Sequence, residues 1–328
     1  MLMSRTPLRI SFFGGGTDYP SWCRQQGGSV LATTIDKYCY VTCRYLPPCF
    51  EHRFRVVDSR IENCQAIDEI QHPAVRATLE YLNLNRGLEI HHQGDLPARG
   101  GLGSSSAFTV GLLHTLYHLQ GQRPDKQQLA QESLHIEQDI LQETVGSQDQ
   151  VCAAYGGFNH IHFMAHGEIS VRPVPVSRDR LHQLNRHLML FYTQIRRTTT
   201  ASAIASSYVP DLTQQHRQLH RMQDLVNAGL NVLVDNHDLN QFGELLHEAW
   251  QIKRGLGAKI SNAQINELYS NARAAGAVGG KLTGAGGGGF LLLFVPPEQQ
   301  AAVRDRLKPL IPVSFQFEFA GSQIIFDD

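Results

Sequence analysis

The chain has 328 residues, 42% of them hydrophobic and 18% charged, and carries a formal net charge of -1. That length allows a sizeable core and two domains, and the charge balance argues against a nucleic-acid partner while leaving room for one basic pocket that takes a phosphate. No run of about 18 apolar residues occurs, so no membrane span is expected, and a glycine cluster interrupts an opening too short to act as a secretion signal.

In chain order, residues 8–13 read as a strand that runs into Gly14-Gly15-Gly16. Residues 29–35 and 38–45 read as two further strands. In the second of them Cys39, Val41 and Cys43 alternate with polar neighbours, which predicts buried free thiols on one face. Cys23, Cys49, Cys64 and Cys152 complete six cysteines without zinc-site spacing, so a reducing cytoplasm is the expected location. Helical spacing follows over 73–84 and a short strand over 87–92.

A second cluster, Gly100-Gly101 with Gly103, leads into a helix predicted from Ser105 to Leu119, and another helix fits 126–142. Strands at 158–164 and 168–174 close the first half, and prolines at 173 and 175 mark a boundary. We therefore expect domains at 1–178 and 179–328. The second half opens with a strand at 187–193, continues with helices at 212–234, 238–253 and 261–275, and carries the third cluster, Gly284 with Gly286 to Gly289. A buried strand at 290–295, a helix at 298–308 and a strand at 314–319 finish the chain. Helices mixed with antiparallel hairpins predict an α+β fold in both halves.

The segment Leu96 to Ala107 is the most informative. Glycines let backbone N–H groups converge, and an apolar helical pattern begins at once, so the loop enters a helix N-terminus suited to an anion. Ser104, Ser105 and Ser106 add hydroxyls for phosphate or a metal ion. No lysine follows the glycines, which excludes the P-loop pattern, and the spacing is wrong for a dinucleotide fingerprint. The alternative is a serine-capped turn.

Ala130, Leu134, Glu137 and Leu141 share one helical face. A glutamate in such a stripe needs a partner. Mg²⁺ beside a triphosphate would supply one, with Ser105 as a second oxygen ligand; the alternative is a stripe edge reaching solvent. Asp149, in a turn-like segment, can accept a hydroxyl proton, although periodicity does not select it over Asp139 or Glu143. Asp18, with Gly16 and Thr17, suits recognition of sugar hydroxyls; the alternative is an aspartate that caps its own turn. Arg9 suits a phosphoryl group, and Arg196 with Arg197 can grip a further substrate phosphate; the alternative is a solvated arginine pair.

Three separated motifs then resemble one family: Arg5-x-Pro7-Leu-Arg9 through Gly14-Gly-Gly-Thr-Asp18, Pro97-x3-Gly101-Leu-Gly-Ser-Ser-Ser-Ala107, and Lys281-Leu-Thr-Gly-Ala-Gly-Gly-Gly-Gly-Phe290. The family is that of galactokinase, homoserine kinase, mevalonate kinase and phosphomevalonate kinase, and the resemblance spans nearly the whole chain. It implies an ATP- and Mg²⁺-dependent small-molecule kinase. Its N-terminal domain would be like domain 2 of ribosomal protein S5 and its C-terminal domain ferredoxin-like. Gly100, Gly101, Gly103 and Ser104 to Ser106 would wrap the ATP phosphates, and Thr283, Gly284, Gly286 and Gly287 would approach them from the second domain. Ser105 and Glu137 would bind Mg²⁺, and Asp149 would be the catalytic carboxylate, with Arg9 at the place of a catalytic cation. The extra serine, Ser106, leaves open which serine meets the metal, and the Glu137-to-Asp149 interval is one residue longer than in mevalonate kinase. The opening RTPLRISFFGGGTDYP is similar to the branch of bacterial D-glycero-D-manno-heptose 7-phosphate kinases, which implies phosphorylation at C1; an L-fucokinase-like or other sugar 1-kinase is the alternative. The expected partner is a sugar or sugar phosphate, with neither nucleic acid nor membrane, and a homo-oligomer stays open.

Overall fold

The computed structural model of the protein describes residues 1–197, 199–235 and 237–328. Two sheets organise them. The strands of the first are β1 (Leu2–Phe13), β2 (Gly28–Tyr45), β3 (Phe54–Val57), β4 (Ile61–Cys64), β5 (Leu88–Gly94), β6 (Phe158–Phe163), β7 (Ile169–Pro173), β12 (Phe317–Glu318) and β13 (Gln323–Asp327). The second holds β8 (Leu188–Tyr192), β9 (Gly279–Leu282), β10 (Phe290–Phe294) and β11 (Ile311–Val313) in the antiparallel order β11-β8-β10-β9. Helices are α1 (Pro20–Gln26), α2 (Pro73–Tyr81), α3 (Ser104–Leu119), α4 (Lys126–Leu134), α5 (Gln148–Tyr155), α6 (Arg178–His187), α7 (Ala201–Ala205), α8 (His216–Val234), α9 (Asn240–Gly255), α10 (Ala263–Ala274) and α11 (Gln300–Arg306). The mixed α+β architecture agrees with the sequence.

The two strands expected at 29–35 and 38–45 are one. Pro7 pairs with Tyr38 and Leu8 with Ile35, so Asp36 and Lys37 form a bulge in a continuous strand. Above the bulge β2 pairs with β6 and β12; below it, with β5. Cys39 and Cys43 are buried and free, as their alternation predicted.

α3 is buried nearly all round, from Ser106 to Tyr117, and packs on β1 and β2. A helix without a polar face belongs inside a core, so its N-terminus is held rigidly. On the other side α8 packs against β1 and β2, while α9 packs on β9 and β10 and touches β1. The cleft between the sheets is therefore walled by β1, the start of α3 and the side of α9.

Three further departures from the sequence reading matter. The helix expected over 126–142 is regular only to Leu134; residues His135–Ile140 form a wider turn, with the Leu141 N–H donating to the Ile136 carbonyl. Residues 178–187, between the prolines at 173 and 175 and the strand expected from 187, form helix α6, capped by the Ser177 hydroxyl. The final strand expected at 314–319 shrinks to β12, and β13 follows it, antiparallel to β1. The first sheet thus takes strands from both sides of residue 178.

Candidate functional site

A cavity of about 500 Å³ opens where β1, the start of α3, α5, α9 and the turn after β9 converge. That size suits a small-molecule ligand. Arg9 lies at its floor, 4% exposed. Arg9 Nε donates to Asp149 Oδ1 and Nη2 to Asp149 Oδ2, both at 2.7 Å, and Nη1 donates to the Gly101 carbonyl at 2.7 Å. Burial works against the Arg9 cation, but the paired carboxylate outweighs it and raises the guanidinium above its ordinary value. Asp149 stands in the first turn of α5, where the helix dipole favours a negative charge.

The Gly103 backbone, at φ 77°, turns the chain into α3 without a side-chain cap. The helix N-terminus therefore presents unpaired N–H groups, and Ser104, Ser105 and Ser106 all line the cavity. Gly103 also sits against the ion pair: a Cβ there would lie 3.2 Å from Arg9 Cγ and 3.5 Å from Asp149 Oδ2.

Glu137 is 2% exposed and also borders the cavity, brought there by the wide turn after α4. Its Oε2 accepts from Ser106 Oγ at 2.9 Å and from Gln150 Nε2 at 2.6 Å, while Oε1 has no partner among the described residues. Burial pushes its carboxyl up to about 7. The serine beside this carboxylate is Ser106; Ser105 is exposed at the mouth. Of the serines left open as metal ligands, Ser106 therefore stands beside Glu137, because on α3 the 106 side chain turns inward and the 105 side chain outward.

Asp18 is buried beyond the first glycine cluster. Its Oδ1 accepts from the Gly16 N–H at 3.0 Å, and its Oδ2 from Gln148 Nε2 at 3.0 Å. Burial raises its carboxyl, against these donors. Gly16 and Asp18 line the cavity. Thr17 instead staples its own loop, its hydroxyl donating to the Gly14 and Ser29 carbonyls. Thr17 is thus buried behind the part of the loop that lines the cavity.

The third glycine cluster is only partly where it was expected. Gly284 reaches the cavity, together with Ala285. Gly286 and Gly287 pack on the segment at Lys259 and Ile260, and the Gly287 N–H donates to the Ile260 carbonyl. Gly100 and Thr283 form the joint between the loops: the Phe290 N–H and the Thr283 hydroxyl donate to the Gly100 carbonyl, at 3.1 and 3.3 Å. The two glycine loops therefore touch directly, with Gly284 against Gly101. Arg197 lines the cavity, whereas Arg196 points to solvent.

Four residues to which the sequence reading gave no role complete the walls. Gln148 and Gln150 support the two acids. Lys253, on α9, is buried at the cavity edge and donates to the Gly284 carbonyl. Lys281 donates to the Ser11 and Phe12 carbonyls, both at 2.9 Å, and so ties β9 to β1. The signal for Lys253 was its place in the stripe Phe242, Leu246, Ala249, Trp250. Ser11 Oγ, Glu137 Oε1, Gln148 Oε1 and Gln150 Oε1 are buried without partners among the described residues, and all four residues line the cavity. Buried polar atoms are rarely left unpaired, so this set marks a site shaped for a polar ligand.

The pattern of the GHMP kinases N terminal domain matches residues 69–157, and that of the GHMP kinases C terminal domain matches residues 230–309. Together they cover just over half of the chain, and the first contains α3, Glu137 and Asp149.

The chain belongs to the GHMP kinases. It is an enzyme of the small-molecule kinase class. The kinase is 25% identical over 306 residues to the D-glycero-alpha-D-manno-heptose 7-phosphate kinase of Campylobacter jejuni, covering 87% of this chain and 86% of that one. It is 26% identical over 327 residues to the L-fucokinase/L-fucose-1-P guanylyltransferase of Bacteroides fragilis, covering 87% of this chain but 34% of that longer protein. In fold it is similar to a D-glycero-D-manno-heptose 1-phosphate kinase structure from Bacteroides thetaiotaomicron, with a TM-score of 0.81, 22% identity and full coverage of both chains. It is similar also to Lactococcus lactis galactokinase complexed with galactose, with a TM-score of 0.73, 17% identity and 98% and 94% coverage.

Proposed function

We propose that this kinase transfers the γ-phosphoryl group of ATP to the C1 hydroxyl of D-glycero-D-manno-heptose 7-phosphate, giving the 1,7-bisphosphate. The observation that carries the reading is the Arg9–Asp149 pair set beside the free N-terminus of α3 in a cavity lined by unpartnered polar atoms. The α3 N-terminus and Gly101 to Ser106 would hold the triphosphate. The end of the cavity where Phe108 lies against His72 and His92 offers an aromatic wall for the base.

Asp149 would take the proton of the C1 hydroxyl as its oxygen bonds to phosphorus and the bond to the departing ADP breaks. Transfer of this kind depends on placement and charge more than on a strong base. Arg9 fixes the Asp149 carboxylate and stabilises the charge that develops on the phosphoryl oxygens. The orphaned Glu137 Oε1 and the neighbouring Ser106 hydroxyl fit Mg²⁺, with Ser105 at the mouth. Bound there, the ion would offset negative charge on the phosphate oxygens. Asp18 and Gly16 would meet the sugar, and Arg197 its phosphate. We place the functional halves on either side of residue 178, an S5-domain-2-like first half that the returning strands β12 and β13 complete and a ferredoxin-like second half, in a cytoplasmic enzyme.

The choice of acceptor rests on the Campylobacter jejuni relative and on the residue 5–20 opening. A sugar 1-kinase acting on L-fucose is the second reading, favoured by the similarity to the bifunctional fucokinase. Kinase assays across heptose 7-phosphate, fucose, galactose, mannose and mevalonate, with NMR mapping of the product, test both. Equal kcat/KM for L-fucose and heptose 7-phosphate would overturn the first.

A further inference from the structure

We propose that Lys253 is a phosphate-binding residue of this site, its ammonium closing the cavity from the α9 side against a phosphate group of a bound substrate. The proposal rests on the kinase reading of the cavity. Lys253 is 8% exposed and lines the cavity. Its one hydrogen bond among the described residues goes to the Gly284 carbonyl, at the joint between the two glycine loops. Neither Lys253 nor Arg197 nor Lys281 forms an ion pair among the described residues.

A buried cation without a counter-ion is costly. Arg9 meets that cost with Asp149, and Lys281 is tied to two carbonyls. Lys253 has one carbonyl for three N–H donors. Its neighbours come from every wall: Arg9 on β1, Arg197 after β8 and Lys281 on β9 repel it, while Asp18 after β1 and Asp149 on α5 attract it. Burial first, then Arg9 and Arg197, push its ammonium down to about 7. An arriving phosphate would reverse that imbalance, supplying acceptors and negative charge where the protein provides too little.

The phosphate has two sources, the donor nucleotide and the acceptor's own phosphate. The test uses Lys253→Met and Lys253→Arg. Titration with Mg-ATP and Mg-ADP reads the first source, and KM for heptose 7-phosphate reads the second. We expect Lys253→Met to lower kcat/KM about a hundredfold, as loss of one phosphoryl-stabilising group does, and Lys253→Arg to recover to within about tenfold of the native value. A loss of preference for ATP over ADP assigns the phosphate to the nucleotide. A rise confined to KM for the sugar phosphate assigns it to the acceptor.

The pH dependence supplies a readout that a packing role does not move. Lys253 must be protonated to hold phosphate, so native phosphate affinity should weaken as pH rises from about 6 to about 8.5, through the ammonium's value near 7. Lys253→Arg stays charged across that range, so its profile should be flatter, and titration of the nucleotide itself is common to both proteins. Lys253→Met within threefold of native on every measure would overturn the proposal. So would a loss that Lys253→Arg fails to rescue, with the pH profiles of native and Lys253→Arg coinciding. If the native enzyme phosphorylated no sugar phosphate, the acceptor assignment above would fall while the nucleotide titrations still judged Lys253.

Discussion

Arg9 grips Asp149 with two hydrogen bonds at 2.7 Å, which leaves the carboxylate one fixed orientation toward the cavity. Asp149→Asn keeps the shape and removes the proton acceptor. Its kcat should fall about a hundredfold, equivalent to about 3 kcal/mol, with ATP affinity close to native. Single-turnover chemistry beside a nucleotide titration checks this; near-native chemistry would remove Asp149 from the mechanism. Glu137→Gln should act differently. It removes the charge that would hold Mg²⁺ but keeps an acceptor for Ser106. The Mg²⁺ concentration for half-maximal rate should rise at least about tenfold, with an unchanged melting temperature, since burial already disfavours the ionised form. An unaltered Mg²⁺ dependence would reject the metal role. At this scale the sequence was partly legible. The stripe around Glu137 was visible because a carboxylate in an apolar face needs a reason. Lys253 sits in a similar stripe and passed unnoticed, because a long lysine stem often lies along apolar surface with its head in water. Gly146 was illegible for another reason: the collision of any side chain there with Asp18 exists only after folding brings residues 18 and 146 together.

Among the elements, the joint between the two glycine loops sets how the halves of the site meet. A Cβ on Gly284, where φ is 67°, would collide with the Gly101 backbone. Gly284→Ala should therefore push the loop before α3 out of place and weaken ATP binding about tenfold or more. Gly121→Ala is the control. It carries the same kind of left-handed strain, with φ at 79° and nothing within 4 Å of the added carbon, so it should cost about 1–2 kcal/mol of stability and leave ATP binding alone. Equal nucleotide affinity in the two variants would mean that the joint does not position the phosphate loop. Strongly periodic or fully apolar segments gave their elements correctly from sequence, α3 and β10 among them. The failures have physical causes. A wide turn has the same composition as a helix, so nothing in residues 135–140 announced it. The bulge at Asp36 and Lys37 looked like a strand end because two polar residues interrupted the alternation. Helix α6 is mostly polar, and its buried face is just Arg180, Leu181 and Leu184.

Across the whole molecule, the chain closes on itself. After β11 completes the second sheet, the tail crosses back and adds β12 beside β2 and β13 beside β1. Phe317 meets Phe158 edge to face at 5.6 Å between ring centroids and also lies against Phe12 and Phe315. Ser322 Oγ bonds Thr6 at 2.8 Å and His114 at 3.0 Å, and the Thr34 hydroxyl donates to the Glu318 carbonyl at 2.7 Å. The sequence reading ended on a strand at 314–319, because Gly321 and Ser322 break the pattern, and only long-range pairing makes 323–327 a strand. Removing residues 315–328 should therefore bare one edge of β1 and uncover the Phe12–Phe158 contact. Phe317→Ala alone should cost about 2–3 kcal/mol, below the usual 3–5 for a fully buried phenylalanine, since this ring is partly exposed. The truncation should cost more, lowering the melting temperature on the order of 10 °C. None of the tail residues from 315 onward lines the cavity. At a temperature where the truncated protein remains folded, its kcat should thus stay within about twofold of native. A melting temperature within about 2 °C of native would show that β12 and β13 contribute little to the first sheet. A normal melting temperature with a collapsed kcat would instead mean that the tail acts on the cleft rather than on the fold.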